Sequence, residues 1–373
     1  MTSESFASVA ELVAGSDALH ERVQQFAREL SPSSTEFERL ALEIARYQAT
    51  AIPGFRRLVR ASGSNLSQVS EIPAVPVEAF RLARVAAHPV TLDELTFLTS
   101  GTTSGTRGGH HLRRTDTYRA VALAWGKAAL IPDDVNTVRV LCLAPPPLTP
   151  QQSSLGFMMQ AFAEQFDGLG ASTRARTWLL SESGVDLEGL RAGIATAQEE
   201  GRPLLILATS FALVFLLDAL EGARLPLDPR SVVMQTGGFK GKTRQVDAAT
   251  LTEAVANTFG ISPTHVVSEY GMTELSSQLY EGTLPSAKYR TDAGWYLPPP
   301  WMRVEAVDGQ NQQPVPDGSE GLACFTDLAN VDSAVRILTM DRIVCRGRAV
   351  KLLGRQLGAI PRGCSLAIEE LLG

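Results

Sequence analysis

Three glycine-rich segments of this 373-residue chain combine residue types that can hold a phosphorylated ligand. The first is TSGTTSGTRGG at 99–109, directly after the apolar stretch ELTFL. Small residues let such a loop wrap closely around an anion, with backbone N–H groups and hydroxyls aimed at phosphate oxygens. Arg107 adds a permanent charge suited to phosphate. Taken alone, the same composition also describes a flexible surface loop. The second segment, TGGFKGKT at 236–243, approaches a Walker A loop, but Thr236 stands where that pattern needs its first glycine. Loop length sets the phosphate cradle, so Gly237 and Gly238 serve better as bare backbone for a flat ring to lie against. The third, SEYGMTE at 268–274, offers an aromatic face at Tyr270, a tight bend at Gly271, a hydroxyl at Thr273 and a hard oxygen ligand for Mg²⁺ at Glu274. A Tyr-Gly turn opening a helix accounts for that segment equally well by itself.

The elements that would position these segments are legible from hydrophobic period. Residues 1 to about 70 read as helical: Phe37, Leu40, Ala41, Ile44 and Ala45 recur at helical spacing, and Ser33 with Glu36 fits a capping box. Pro53 and Gly54 interrupt that pattern, and Pro73 and Pro76 favour an extended connector. From about residue 95, buried-strand runs (VRVLCLA, PLLILAT, SVVMQT, HVVSEY) alternate with helical stretches such as FALVFLLDALEGA and TLTEAVANTFG, the latter stopped by Gly260. After residue 294 the chain turns β-rich (WMRVEAVD, GLACFTDL, VRILTMDRIV, AVKLLGR) and closes on the short helix LAIEELL. The expected fold is α/β, with helices packed on mixed sheets. Three regions follow: a helical N-terminal region 1–70, an α/β core 71–335 and a β-rich C-terminal part 336–373.

Composition narrows the function classes. With 44% hydrophobic and 20% charged residues the chain is an ordinary globular one. A net charge of -6 and the lack of basic runs interleaved with aromatics argue against nucleic acid as partner. No secretory signal and no membrane span is read, and cysteine usage points to a reducing cytoplasm. The four cysteines have no CxxC spacing, and the five histidines form no HExxH, so structural zinc is not expected. Cys142, Cys324 and Cys345 sit in apolar runs and read as core.

Taken together, TSGTTSGT and YGMTE resemble the paired signatures of the acyl-adenylate-forming superfamily, to which acyl-CoA synthetases and firefly luciferase belong. The stretches IPAVPVEAF, ATSFALVFLLDAL, TGGFKGK, YGMTELSSQ, PPW, DLANVDS and LLGRQLGAIPRGCSL are similar, within it, to the acyl-protein synthetase family of the bacterial bioluminescence fatty-acid reductase system. The likeness runs in order over roughly residues 35–373. It implies the large domain of an adenylate-forming enzyme, with ATP phosphates held by Thr99, Ser100, Gly101, Thr102 and Thr103. Gly237, Gly238 and Phe239 would line the adenine and acyl pockets beside Tyr270, Gly271 and Met272. Thr273 and Glu274 would approach phosphate and metal, Asp341 in LTMD would bind the ribose hydroxyls, and Arg355 in LLGR is the superfamily's following arginine. Arg107-Gly108 replaces the usual Pro-Lys-Gly, and the small C-terminal domain that carries a lysine in longer members is read as missing.

The same resemblance makes Cys364, in PRGCSL, the acyl-accepting thiol. Physically, Arg362 and a following helix N-terminus would favour its thiolate. The implied reaction is carboxylic acid plus ATP to acyl-AMP, then to a protein or carrier thiol, with Mg²⁺, and with CoA or phosphopantetheine as thiol cofactors. An acyl carrier protein or an acyl-reductase would be the partner. Two alternatives stay open: transfer from acyl-CoA to an acyl carrier protein without ATP, and an inactive acyl-nucleotide-binding scaffold. Phe157, Met158 and Phe211 are the expected acyl-pocket walls, suited to a fatty chain or an aryl ring.

Overall fold

Three helices lead the chain: α1 (Val9–Glu29), α2 (Ser34–Ala51) and α3 (Pro53–Ser62). Ser33 caps α2 by accepting from the Glu36 N–H, and Phe37, Leu40, Ala41, Ile44 and Ala45 are all buried. Only this half of the expected capping box forms, because the Glu36 carboxylate is taken by Arg39. A reciprocal box forms instead at Ser8 and Glu11, ahead of α1. Pro53 ends one helix and starts the next, since the first turn needs no proline N–H. The computed structural model describes residues 8–30, 33–99, 107–148, 151–167, 177–237, 247–285, 287–356 and 362–372, and the side chains of 362–365 lie outside that description.

The proline-rich connector gives β1 (Val75–Pro76) and a single turn, α4 (Ala79–Leu82). A hairpin, β2 (Leu95–Leu98) and β3 (Gly109–Leu112), brackets the first glycine-rich segment, and α5 (Asp116–Leu130) follows. Then come β4 (Arg139–Leu143), α6 (Ser154–Phe166), the small hairpin β5 (Leu180–Ser181) and β6 (Gly184–Val185), α7 (Leu187–Glu199), β7 (Leu204–Thr209), α8 (Ser210–Leu220), β8 (Val232–Thr236), α9 (Ala248–Phe259) and β9 (Val266–Tyr270). Gly260 stops α9 in the left-handed region at φ 64°. The β-rich end supplies β10 (Leu279–Glu281), β11 (Tyr296–Leu297), β12 (Met302–Val307), β13 (Glu320–Asp327), β14 (Arg336–Arg346) and β15 (Ala349–Arg355), before α10 (Arg362–Leu372).

Among the described residues these strands build one mixed sheet, in the order β12-β13-β14-β15-β11-β10-β9-β8-β7-β4, with β1 parallel to β14. Strands β4, β7, β8 and β9 run parallel, and their apolar character on both faces is what a doubly covered sheet requires. Leu141 and Leu143 point to a layer made by α7, α8 and α9, while Val140 and Cys142 point to the layer holding α5 and α6. Cys142, Cys324 and Cys345 are buried free thiols, as their apolar surroundings suggested. No described helix is long and apolar enough to cross a membrane. At the other end, α10 lies on α3, where Arg57 donates to the Leu371 carbonyl at 2.6 Å and so serves the last turn of α10.

The segment after β13, residues 327–333 (DLANVDS), is buried throughout although four of its seven side chains are polar. Gln48 of α2 reaches into it, donating to the Asn330 and Val331 carbonyls at 2.7 and 2.9 Å and accepting from the Val335 N–H at 3.0 Å. Gln48→Ala strands three buried backbone groups at once. The expected loss is about 2–4 kcal/mol, read as a lower urea midpoint at unchanged m-value. A loss under about 0.5 kcal/mol would show that this junction is not stabilising.

Candidate functional site

A cavity of about 640 Å³ opens where three distant parts of the chain converge: the β2–β3 neck, the segment following β9, and the β14–β15 hairpin. Thr99, Met272, Gly271, Thr273, Glu274, Asp341 and Arg355 all line it, together with Glu78, Arg81, Arg107 and Glu269. Of the sequence-predicted residues, Ser100, Gly101, Thr102, Thr103, Gly238 and Phe239 lie outside the described residues, as does the Cys364 side chain. Gly237 adopts φ 79° at the end of β8, and its carbonyl accepts from Ser210 at 2.7 Å; it is not among the described lining residues. Of the expected acyl-pocket walls, Met158 and its neighbour Leu155 line the cavity. Phe157 packs instead against Phe97 and Tyr118, and Phe211 against Phe215.

The neck of the glycine-rich loop is tied shut. Thr99 and Gly108 exchange backbone and side-chain hydrogen bonds at 2.9 Å, and Arg107 donates to the Thr99 and Leu98 carbonyls at 2.7 and 3.1 Å. Arg107, read from sequence as a phosphate ligand, therefore spends part of its guanidinium on the loop's own base. One strand later, His110 joins this neck to the third segment. Its Nδ1 donates to the Thr273 carbonyl at 2.8 Å, and its Nε2 accepts from the Ser333 hydroxyl at 3.0 Å. Burial pushes the imidazole down to about 4, which keeps it neutral and able to play both roles. Nothing in the local pattern around His110 marks it; its role depends on contacts 163 and 223 residues away.

On β9 alternate side chains face opposite ways. Tyr270 turns toward Asp341 and donates its hydroxyl to Oδ2 at 2.7 Å, while its ring stacks on Phe325 at 14° between planes. Burial, reinforced by the nearby Asp341 charge, pushes the phenol well above its ordinary value and keeps it a donor. Asp341 faces Arg355 across the β14–β15 ladder, and the Arg355 guanidinium stands 3.8 Å from Glu78. A carboxylate held this way is a natural bidentate acceptor for a vicinal diol. Asn330 donates to the Glu274 carbonyl at 3.0 Å, which fixes the backbone that carries Thr273 and Glu274.

A cavity of this size is in the range of small-molecule sites, and three guanidinium groups on its walls (Arg81, Arg107, Arg355) suit phosphates. No group of three or more His, Cys, Asp or Glu able to hold a metal occurs among the described residues. Glu274 on the cavity wall still fits Mg²⁺, which characteristically takes one or two carboxylates and completes its shell with water and phosphate oxygens. Two further carboxylates were not singled out by sequence: Glu78, whose Oε2 is buried without a hydrogen-bond partner, and Glu269. Glu269 is 6% exposed and takes a hydrogen bond from Thr236. Burial pushes its carboxyl up to about 7.

Comparison with known proteins gives the family and the fold. The family model for acyl-protein synthetase, LuxE, matches residues 60–373. A curated relative, the long-chain-fatty-acid–luciferin-component ligase of Vibrio harveyi, is 21% identical over 202 residues, 51% of this chain and 51% of that protein. The chain thus spans about half the length of the curated relative it matches. Among solved structures, 2-hydroxyisobutyryl-CoA ligase in an open conformation with 2-HIB-AMP and CoA superposes with TM-score 0.59 at 17% identity, covering 88% of this chain and 77% of the other. The same enzyme in its postadenylation state gives TM-score 0.59 at 16% identity, covering 87% and 69%. These likenesses establish the α/β fold of adenylate-forming enzymes.

The raised Glu269 carboxyl has a consequence for stability. A proton bound more tightly in the folded state stabilises it below the ordinary value of 4.5, and that contribution is lost as pH rises through about 7. Between pH 5 and pH 8 wild type should therefore lose about 2–3 kcal/mol relative to Glu269→Gln, whose amide stays neutral throughout. Urea unfolding of both proteins at the two pH values measures this, and a difference independent of pH would overturn it.

Proposed function

The chain belongs to the acyl-protein synthetase (LuxE) family, and from that premise we propose that it is an enzyme that activates a carboxylic acid with ATP and passes the acyl group to a thiol. One observation carries this reading: Thr99, Thr273, Glu274, Asp341 and Arg355, drawn from three separate segments, share the walls of a single cavity. A carboxylate oxygen attacks the α-phosphorus, the new O–P bond forms, and pyrophosphate leaves with its bridging oxygen. A thiolate then attacks the acyl carbon, the thioester bond forms, and AMP departs with the electron pair.

In this reading the Asp341 carboxylate, oriented by the Tyr270 hydroxyl, accepts from the ribose hydroxyls. Residues 99–103 supply donors to the phosphates, and Arg355 adds positive charge beside them. The resemblance assigns Tyr270, Gly271, Met272, Gly237, Gly238 and Phe239 to the walls for base and acyl chain, and of these Gly271 and Met272 line the cavity. Mg²⁺, held by Glu274 and phosphate oxygens, would offset charge on the leaving group. Cys364, in the first turn of α10, is the proposed acyl acceptor, and a helix N-terminus favours a thiolate there. CoA, a phosphopantetheine thiol on a carrier protein or an acyl-reductase would take the acyl group onward.

Exchange of labelled pyrophosphate into ATP, measured over a panel of acids with Mg²⁺, tests the first half-reaction. Exchange is expected with at least one acid. Its absence, with transfer from acyl-CoA intact, would favour the thioester-to-thioester alternative. Glu274→Gln and Asp341→Ala should each weaken nucleotide binding roughly tenfold or more, since a hydrogen bond to a charged group contributes about 1.5–3 kcal/mol. Calorimetry showing wild-type affinity in both variants would overturn the assignment.

Acyl transfer to Cys364 should appear as a thioester adduct in intact-protein mass spectrometry. That adduct should be removed by hydroxylamine and absent from Cys364→Ser. Acyl delivery to an external thiol at wild-type rate by Cys364→Ser would mean direct transfer.

A further inference from the structure

Glu269 and Gln278 put buried polar groups on the cavity wall beside the apolar Met158 and Leu155. Glu269 lies across the β8–β9 ladder from Thr236, whose hydroxyl donates to Glu269 Oε2. The other oxygen, Oε1, fills the space beside Gly271: a Cβ at that glycine would come within 2.5 Å of Oε1 and 3.5 Å of Gln278 Cγ. Glu269 and Gln278 are therefore neighbours on one wall, both beside Gly271. Gln278 is only 4% exposed. Its Nε2 donates to the Tyr118 hydroxyl at 3.1 Å, and that hydroxyl in turn donates to the Ser154 carbonyl at 3.3 Å. Gln278 Oε1 is left with no hydrogen-bond partner. Among the described residues no cation is paired with Glu269.

We propose that Glu269 and Gln278 select an acid bearing a hydrogen-bond donor, a hydroxyl or an amine, and that they disfavour an unsubstituted alkyl chain. This rests on the acid-activating reading above. Gln278 Oε1, buried without a partner, is left unsatisfied by methylene groups, whereas an O–H or N–H donor placed between it and the Glu269 carboxyl serves it. A site built to hydrogen-bond a substituent rejects the analogue without it far more strongly than an apolar pocket rejects an added hydroxyl. Met158 and Leu155 on the adjoining wall accommodate the apolar part of such an acid.

The test compares non-hydrolysable acyl-sulfamoyl adenosines whose acyl groups have equal length and end in methyl, hydroxyl or amine, with binding measured by calorimetry. It needs no turnover, so its outcome is separate from that of pyrophosphate exchange. Wild type should bind the hydroxyl or amine compound at least about tenfold more tightly than the methyl compound. Glu269→Gln should preserve preference for a hydroxyl but lose preference for an amine, which distinguishes the two donors. Gln278→Met and Glu269→Leu should each shrink the preference severalfold, with folding verified by urea unfolding. Methyl compounds binding as tightly as both others in wild type would overturn the proposal, as would a preference unchanged in both variants. Exchange assays that fail while the binding preference holds would count against acid activation and leave the selectivity standing.

Discussion

The arrangement of the cavity depends on a buried polar segment, residues 327–333, that has to satisfy its own hydrogen bonds inside the protein. Asp327 accepts from the Ser276 N–H, the Ser277 hydroxyl and the Ala329 N–H at 2.8–3.1 Å. Burial nevertheless pushes its carboxyl up to about 6. Asn330 holds the Glu274 and Ala334 carbonyls, both at 3.0 Å, and Ser333 meets His110. Asp332 faces the other way, accepting from Ser16 and Tyr47 and pairing with His20 and Arg113. Burial opposes ionisation of Asp332, yet these partners hold it well below the usual carboxylate range. Removing a partner that serves alone, such as Ser333 for His110 Nε2, leaves a buried polar group unpaired, a cost that exceeds the net gain of forming the bond. The segment consequently fixes helices α1 and α2 on one side and the Thr273–Glu274 backbone on the other.

That constraint explains how a site can be precise while its ligand-facing atoms remain open. His110 and Asn330 grip the backbone carbonyls of Thr273 and Glu274, leaving their side chains on the cavity wall. Tyr270 orients Asp341 from the side, and the β14–β15 ladder sets Arg355 opposite it. Positioning comes from buried side chains bonded to backbone carbonyls, whereas recognition is assigned to cavity-lining groups with unpaired atoms, notably Glu78 Oε2 and Gln278 Oε1. A preorganised site divides its labour in this manner because reorienting dipoles at the moment of binding would cost affinity.

Strand and helix positions were legible because they depend on period and on local stop signals. The runs at 138–144, 203–209, 231–236 and 265–270 became β4, β7, β8 and β9 within a residue at each end, since short apolar, β-branched runs between turn formers have few alternatives. Thr99, Thr273, Glu274, Asp341 and Arg355 were also named from sequence, by motif and resemblance, and the fold brings all five to one cavity. The capping box at Ser33 was legible only in half, because Arg39, one turn away, competes for the Glu36 carboxylate. Phe157 and Phe211 pack on other aromatic rings, because an aromatic residue in the first turn of a helix fits a core cluster as well as a cavity.

By itself, then, the sequence determined the α/β alternation, the glycine-rich turns after their strands and the candidates for nucleotide chemistry, all properties of neighbouring residues. Tertiary structure decided which of two adjacent residues, Glu269 or Tyr270, faces which partner, since strand pleat and the β8, β10 and β14 neighbours set that direction. It also decided that Glu269 is buried without a cation among the described residues, and that Gln278, nine residues on, shares its wall. His110, the link between the loop neck and the Thr273 backbone, was invisible for the same reason. Its hydrogen-bond partners are remote in sequence, and burial, which sets its charge, exists only once the chain has closed around it.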